Sequence, residues 1–218
     1  MSRPVILVVG AGPGVSGSVA RRFAAEGYDV GLLGVDDDAL SDLAGDLEPR
    51  GADVRSVTVD ITDAEAAGAA VRVVGEQWGR IDVLHFNPSA YRDKDPLHLT
   101  VAELLEDVEL GVGALLTVVQ AARPFMGAGG RVSVAGSMAA DAPSHAAASL
   151  GVQKAGVRNL VHSLDATLKP DGIRAVSVTV RGSLSREGAF TPDRVAEAIW
   201  AAMTTDDDAW RSEVPYTG

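Results

Sequence analysis

The segment with the plainest chemistry is Gly10-Ala11-Gly12-Pro13-Gly14-Val15, directly after the apolar run Val5–Val9. Glycines at the exit of a strand permit a tight turn and let the backbone approach a pyrophosphate at the start of the next helix. The free N–H groups of that helix point outward. Gly10, Gly12, Pro13, Gly14 and Val15 are therefore candidate dinucleotide contacts. A glycine turn without a ligand remains open, and the placement between a strand and a helix is what makes the pattern informative. Its usual companion is an acid about 20 residues on, which holds the ribose hydroxyls. Here Asp36, Asp37 and Asp38 stand at that point. Asp36 is the candidate ribose ligand, although the Ala39-Leu40 that follows makes a helix cap the stronger reading. No arginine stands at this turn to receive a 2′-phosphate, so a bound dinucleotide should be NAD(H) rather than NADP(H).

Other polar residues read more plainly. Ser137, Asp141 and His145 invite a hydrolase triad, but Gly136-Ser137-Met138 lacks the Gly-x-Ser-x-Gly elbow. Ser137 alone reads as a strand-end residue that satisfies a loop amide. His85 should be a buried, hydrogen-bonded histidine within a strand, and His145 a cap or surface residue. The four histidines show no metal-ligand spacing, and cysteine is absent, which removes disulfides, thiol catalysis and thiolate metal sites. A net charge of −11 repels phosphate backbones and anionic membranes, which argues against nucleic-acid binding. The N-terminal apolar run, Pro4–Val9, is too short for a signal peptide, and no stretch approaches the ~20 apolar residues of a membrane span. A soluble, cytoplasmic protein acting on a small molecule is the expectation.

The elements that must position these residues follow from periodicity. Strand patterns fall at Val5–Val9, Asp29–Leu33, Val54–Val59, Val83–Phe86, Val132–Ala135 and Ala175–Val180, with a closing edge strand at Val214–Tyr216. Helical spacing covers Ser16–Ala25, Asp37–Leu47, Asp63–Trp78, Thr100–Met126 and Ala146–Leu168, and a last helix runs from the Thr191 cap to about Met203. Thr100-Val101-Ala102-Glu103 is a capping box, and Pro192 sits one position inside the Thr191 cap. The acidic run Asp206–Asp208 reads as a solvated loop. With 46% hydrophobic but only 5% aromatic residues, the core must be aliphatic. Alternating strands and helices demand a doubly wound parallel α/β sheet, Rossmann-like, in the order 3-2-1-4-5-6 with a seventh strand near Val214. No break in the pattern divides the 218 residues, so 1–218 reads as one domain.

From the glycine loop onward the chain resembles the short-chain dehydrogenase/reductase family over nearly its whole length. Val9-Gly10-Ala11-Gly12-Pro13-Gly14-Val15-Ser16 is similar to its Thr-Gly-x-x-x-Gly-x-Gly loop, with serine for the last glycine. Val59-Asp60-Ile61-Thr62-Asp63 matches its Asp-x-x-Asp segment, and the resemblance implies adenine contacts at Asp60 and Ile61. Phe86-Asn87-Pro88-Ser89 stands where the family has Asn-Asn-Ala-Gly, and only Asn87 survives. Counting back from Arg123-Pro124 puts the asparagine of the family's proton relay at Gly111.

The family's active-site triplet is Ser, then Tyr thirteen residues on, then Lys four beyond. Here it reads Ser137, Leu150, Lys154. The resemblance thus implies substrate positioning by Ser137 and ribose holding by Lys154, in an atypical subgroup without the tyrosine that transfers the proton. A general acid is typically worth about 10²–10⁴ in rate. On this reading turnover of simple ketones is very slow; Leu150→Tyr raises it, and Gly111→Asn adds to the gain. The loop after strand six is only Arg181-Gly182 plus Ser183 to Phe190, a shortened lid. Three functions stay open: an atypical NAD(P)-dependent oxidoreductase acting on a carbonyl or alcohol with Ser137, His145 or ordered water as substitute donor, a cofactor-binding sensor or partner subunit without turnover, and a non-redox lyase or isomerase using Ser137 and Lys154. The oxidoreductase leads on the family's example. A homo-oligomer, dimer or tetramer, is expected through Thr100–Met126 and Ala146–Leu168, whose Gly111, Gly113, Ala114, Ala146, Ala147 and Ala148 would allow close packing.

Overall fold

An uninterrupted apolar run such as Val5–Val9 can be buried at every position only in the middle of a sheet covered on both faces. This run is β1, and all five residues are buried. It lies between β2 (Asp29–Gly34) and β4 (Val83–Phe86), parallel to both. Beyond them come β3 (Val54–Thr58) on one side and β5 (Arg131–Ser137), β6 (Arg174–Val180) and β7 (Glu213–Tyr216) on the other. The computed structural model describes residues 2–218, over which the strands pair in the order β3-β2-β1-β4-β5-β6-β7. The doubly wound order matches the expectation, and the seventh strand joins parallel to β6.

Helices α1 (Val15–Ala25), α2 (Asp37–Leu47) and α7 (Pro192–Met203) cover one face, where Phe23, Leu40 and Ile199 pack on β1, β2 and β6. The other face carries α3 (Ala64–Trp78), α5 (Ala114–Ala122) and α6 (Ala148–Leu168), burying Val71, Leu115 and Val161. Thr100 closes its capping box with Glu103 at the start of α4 (Val101–Val108), and Thr191 caps α7 through the Arg194 N–H. No helix among the described residues is long and apolar enough to cross a membrane.

Two expected boundaries are corrected. The single helix Thr100–Met126 is α4, a π-helical segment Glu109–Gly113, then α5, closed by a tight 3₁₀ turn at Arg123–Phe125. Gly111 and Gly113 weaken the helical ladder there, and π segments of this kind concentrate at functional sites. The helix expected from Ala146 begins instead at Ala148. Ala147 is extended and bridges to Lys94, whose carbonyl accepts the Ala148 N–H at 3.1 Å. The far end of α6 is fixed to β6 by a buried ion pair. Asp165 accepts two hydrogen bonds from Arg174, each 2.9 Å, and one from the Ala175 N–H at 2.8 Å.

Candidate active site

The glycine loop turns sharply where β1 ends. The N–H groups of Gly10 and Ala11 both donate to the Leu33 carbonyl, at 2.9 and 2.8 Å, which joins the loop to β2. Gly10 has φ +76°, and a Cβ there would lie 2.9 Å from Pro88 Cγ. No other residue type fits without strain. Gly17, in the first turn of α1, would place a Cβ 2.5 Å from the Gly12 carbonyl oxygen. By contrast, a Cβ at Gly12 or Gly14 would meet nothing within 4 Å. Helix α1 begins at Gly14 with no side-chain cap and no acid in its first turn. Its N–H groups and the positive end of its dipole therefore face the open space beside those glycines. Pro13 is exposed and Val15 buried.

The acids at the ends of β2 and β3 are engaged locally. Asp36 is exposed and its Oδ1 accepts the Ala39 N–H at 3.1 Å, capping α2 as the residue pattern favoured. Asp60 accepts both the Thr62 N–H (3.0 Å) and the Thr62 hydroxyl (2.7 Å) on Oδ1, and these hydrogen bonds hold its carboxyl below the usual range. Ile61 sends its side chain into the core beside Leu7 and Val71, so only its backbone is left for a ligand. At the end of β4, Asn87 Nδ2 donates to Ser16 Oγ at 3.0 Å, tying that strand to the first turn of α1.

A cavity of about 200 Å³ opens at the carboxyl ends of β4, β5 and β6. Val15, Asn87, Ser137, Leu150, Lys154 and Leu184 are among its lining residues, whereas Asp36 and Asp60 lie away from it. Ser137, at the end of β5, accepts the Ala139 N–H at 3.2 Å. Leu150 precedes Lys154 by one turn on the same face of α6. Lys154 is 7% exposed, and its Nζ donates to the Ala135 carbonyl at 2.9 Å. Burial lowers its pKa to about 8. A larger groove, about 740 Å³, runs between the start of α4 and α6 past Val101, Leu104, Pro143 and Val152. It holds none of the residues expected to bind cofactor, and of the candidate proton donors only His145 lines it.

One residue near the cavity was missed from sequence. Gln153, fully buried, accepts the Ala90 N–H on Oε1 at 2.9 Å and donates from Nε2 to the Ala90 carbonyl at 3.1 Å. It thereby clamps the loop that follows Asn87. Gly111 packs directly on it: a Cβ at Gly111 would stand 2.6 Å from Gln153 Oε1. A side chain at Gly111 would meet Gln153, which stands against the further gain expected from Gly111→Asn. The only sequence signal was an amide directly beside Lys154.

The lid is short and pinned. Phe190 packs on Gly182, where a Cβ would overlap its ring. It meets Tyr216 edge to face at 5.6 Å, and the Tyr216 hydroxyl donates to the Ala189 carbonyl at 2.5 Å. Asp141 is held by Arg158 (2.7 Å) and Arg181 (3.2 Å), and His145 is exposed, so no triad forms with Ser137. His85 is buried with Nδ1 2.8 Å from Ser133 Oγ, and burial together with the charge of Lys154 pulls it down to about 3, leaving it neutral. Among the described residues no cluster of three or more His, Asp or Glu is placed to hold a metal.

Residues 4–185 match the family model described as short chain dehydrogenase. Sulfoacetaldehyde reductase 2 of Chromohalobacter salexigens is 26% identical over 178 residues, which cover 80% of this chain and 70% of that protein. The 1-deoxy-11-beta-hydroxypentalenate dehydrogenase of Streptomyces exfoliatus is 30% identical over 219 residues, 92% of this chain and 79% of that one. A short chain dehydrogenase from Burkholderia cenocepacia, solved in complex with NADP, superposes with a TM-score of 0.91 at 24% identity, covering 99% of this chain and 96% of that chain. The last likeness speaks for the fold. With a match that runs from the residue before β1 into the lid after β6, this chain belongs to the short-chain dehydrogenase family.

Proposed function

We propose that this chain binds a nicotinamide dinucleotide across the carboxyl ends of β1, β2 and β4 and interconverts a small carbonyl and its alcohol at the 200 Å³ cavity. The observation that carries this reading is the convergence of Val15, Asn87, Ser137, Leu150 and Lys154 on one cavity beside an uncapped helix start. The residues fit the group: the open space at Gly12 and Gly14 takes the pyrophosphate, with Gly10, Pro13 and Val15 shaping the turn. Asp36 and Asp60 each use only Oδ1 among the described residues, which leaves Oδ2 for a ribose hydroxyl and an adenine amino group. Ile61 offers backbone, Asn87 fixes the end of β4, Ser137 positions the substrate oxygen and Lys154 holds the nicotinamide ribose. When bound, the cofactor supplies or accepts hydride. Residues 1–218 act as one dinucleotide-binding unit with a shortened lid, working in the cytoplasm where nicotinamide pools are available.

The three exposed carboxylates Asp36, Asp37 and Asp38 favour NAD(H). Calorimetry should show NAD(H) binding at least about tenfold tighter than NADP(H), a difference of about 1.4 kcal/mol. Tighter binding of NADP(H) would show that charge at this turn does not decide the choice. Turnover is then sought with the preferred cofactor on a panel of ketones, aldehydes and alcohols. A chain that binds it and converts none of them is not an oxidoreductase.

A homo-oligomer, dimer or tetramer, through Thr100–Met126 and Ala146–Leu168 is part of the same reading, and of their small residues Gly113 is exposed and Ala146 and Ala148 are half-buried. Gly111, Ala114 and Ala147 face inward and are buried. Apolar side chains exposed on these helices include Val101, Leu105, Leu116 and Val152, of which Val101 and Val152 line the 740 Å³ groove. Light scattering should give twice or four times the chain mass, and Leu105→Glu with Val152→Glu should return it to the monomer. A wild-type monomer at high concentration would refute the assembly.

A further inference from the structure

We infer that Lys154, besides holding the nicotinamide ribose, itself exchanges the proton with the substrate oxygen in this chain, in place of a hydroxyl or a second side chain. The inference rests on the oxidoreductase reading above and names the group that reading lacks. Its first support is exclusion by position: of the residues that line the cavity, Lys154 is the one with a titratable side chain. The others are apolar, glycine, Asn87, Ser89 and Ser137. An isolated serine hydroxyl has far too high a pKa to give up a proton at neutral pH, and Leu150 has none to give.

The second support is the way the ammonium is held. Lys154 Nζ spends one N–H on the Ala135 carbonyl at 2.9 Å, and no carboxylate pairs with it. Of the charged groups on the elements packed against α6, Glu109 in the π segment is exposed, and the following are paired with other residues. Asp107 on α4 is held by Arg92 at 2.8 Å, and Asp141 after β5 by Arg158 at 2.7 Å. Arg174 on β6 binds Asp165 at 2.9 Å, and Glu213 on β7 meets Arg158 at 3.3 Å. His85 on β4 is neutral. A paired ammonium would keep its proton; this one is buried against a neutral carbonyl, and burial brings its pKa to about 8. That is close to the range in which a general acid works best near neutrality.

The step balances as follows. The carbonyl carbon accepts hydride from the reduced nicotinamide while the π pair moves onto oxygen. The Nζ–H bond breaks, its proton goes to that oxygen, and its electron pair stays on nitrogen as the neutral amine. Solvent returns the proton to the amine before the next turnover, and alcohol oxidation runs the same exchange in reverse.

The chain has only three lysines, Lys94, Lys154 and Lys169, so ¹³Cε-lysine NMR gives three signals, and Lys154→Arg identifies the one in question. That signal should titrate near pH 8 in the full chain without cofactor. In the wild type, kcat/KM for reduction should fall about tenfold per pH unit above the same value. Lys154→Arg, which keeps the charge but does not release a proton, should lose at least about 100-fold in reduction, at the low end of a general acid's worth. Its residual rate should show no break near pH 8. A signal titrating above pH 10, a wild-type profile without the break, or an arginine variant with the wild-type rate overturns the assignment while turnover itself stands. A wild type that binds NAD(H) but converts nothing overturns the assignment together with the oxidoreductase reading.

Discussion

Leu150→Tyr should raise ketone reduction well above the wild-type rate, with cofactor affinity little changed. Leu150 lines the cavity one helical turn before Lys154 and with Ser137, so a phenol grown from that position enters the same space. Proton transfer by a well-placed acid contributes about 10²–10⁴ in rate, equivalent to about 3–5 kcal/mol of barrier. The gain here should fall towards the lower end, because the neighbouring helix was never shaped around a tyrosine. Steady-state oxidation of the reduced cofactor across a ketone panel, with calorimetry to confirm binding, measures it. A tyrosine variant that binds cofactor as the wild type does but shows no gain would mean that the phenol does not reach the substrate oxygen or that Lys154 already supplies the proton in full.

Gly111→Asn should destabilise the protein instead of improving the site. Its Cβ alone would stand 2.6 Å from Gln153 Oε1 and 3.0 Å from Gln153 Cβ and Cγ. Overpacking a fixed interior typically costs about 1–3 kcal/mol. If Gln153 is pushed aside, its two hydrogen bonds to Ala90 are lost as well, at about 1 kcal/mol each. The sum, about 3–5 kcal/mol, should lower the melting temperature by roughly 6–20 °C for a chain of this size. Residues in contact do not add independently, so Gln153→Ala introduced with Gly111→Asn should recover part of the loss. Thermal melts of the single and double variants settle it: an unshifted midpoint for Gly111→Asn would show that Gln153 yields freely and that the clamp on Ala90 is of no consequence.

The strands were legible because burial leaves no freedom in their composition. Val5–Val9 is apolar at each position, and a run with that character has one place in an α/β sheet. Helix starts at Asp36, Asp63, Thr100 and Thr191 were legible because a cap is a local bargain between a side chain and the next N–H groups. The π segment at Glu109–Gly113 was not, since one residue of extra winding leaves the apolar spacing on either side nearly unchanged. The Gln153–Ala90 clamp joins residues 63 apart in the chain, and nothing local to either announces it. The direction of small residues was equally hidden: Gly111 and Ala147 suit an interface and an interior alike, and the fold uses them inside. The spacing of Ser137, Leu150 and Lys154 did place three side chains together, because a strand end and a helix face repeat with fixed geometry.

The lid stitched to β7 by Tyr216 and Phe190 bears on the pace of exchange. An enzyme whose flap closes after binding can grip a ligand during reaction and then free it by opening, which separates affinity from residence time. A loop fastened to the sheet edge at Ala189 and Phe190 has less freedom for such a second state. Arrival is then governed by encounter and departure by affinity alone. Each tenfold gain in grip lengthens the stay tenfold, so a cavity of this construction is suited to loosely held molecules that come and go quickly.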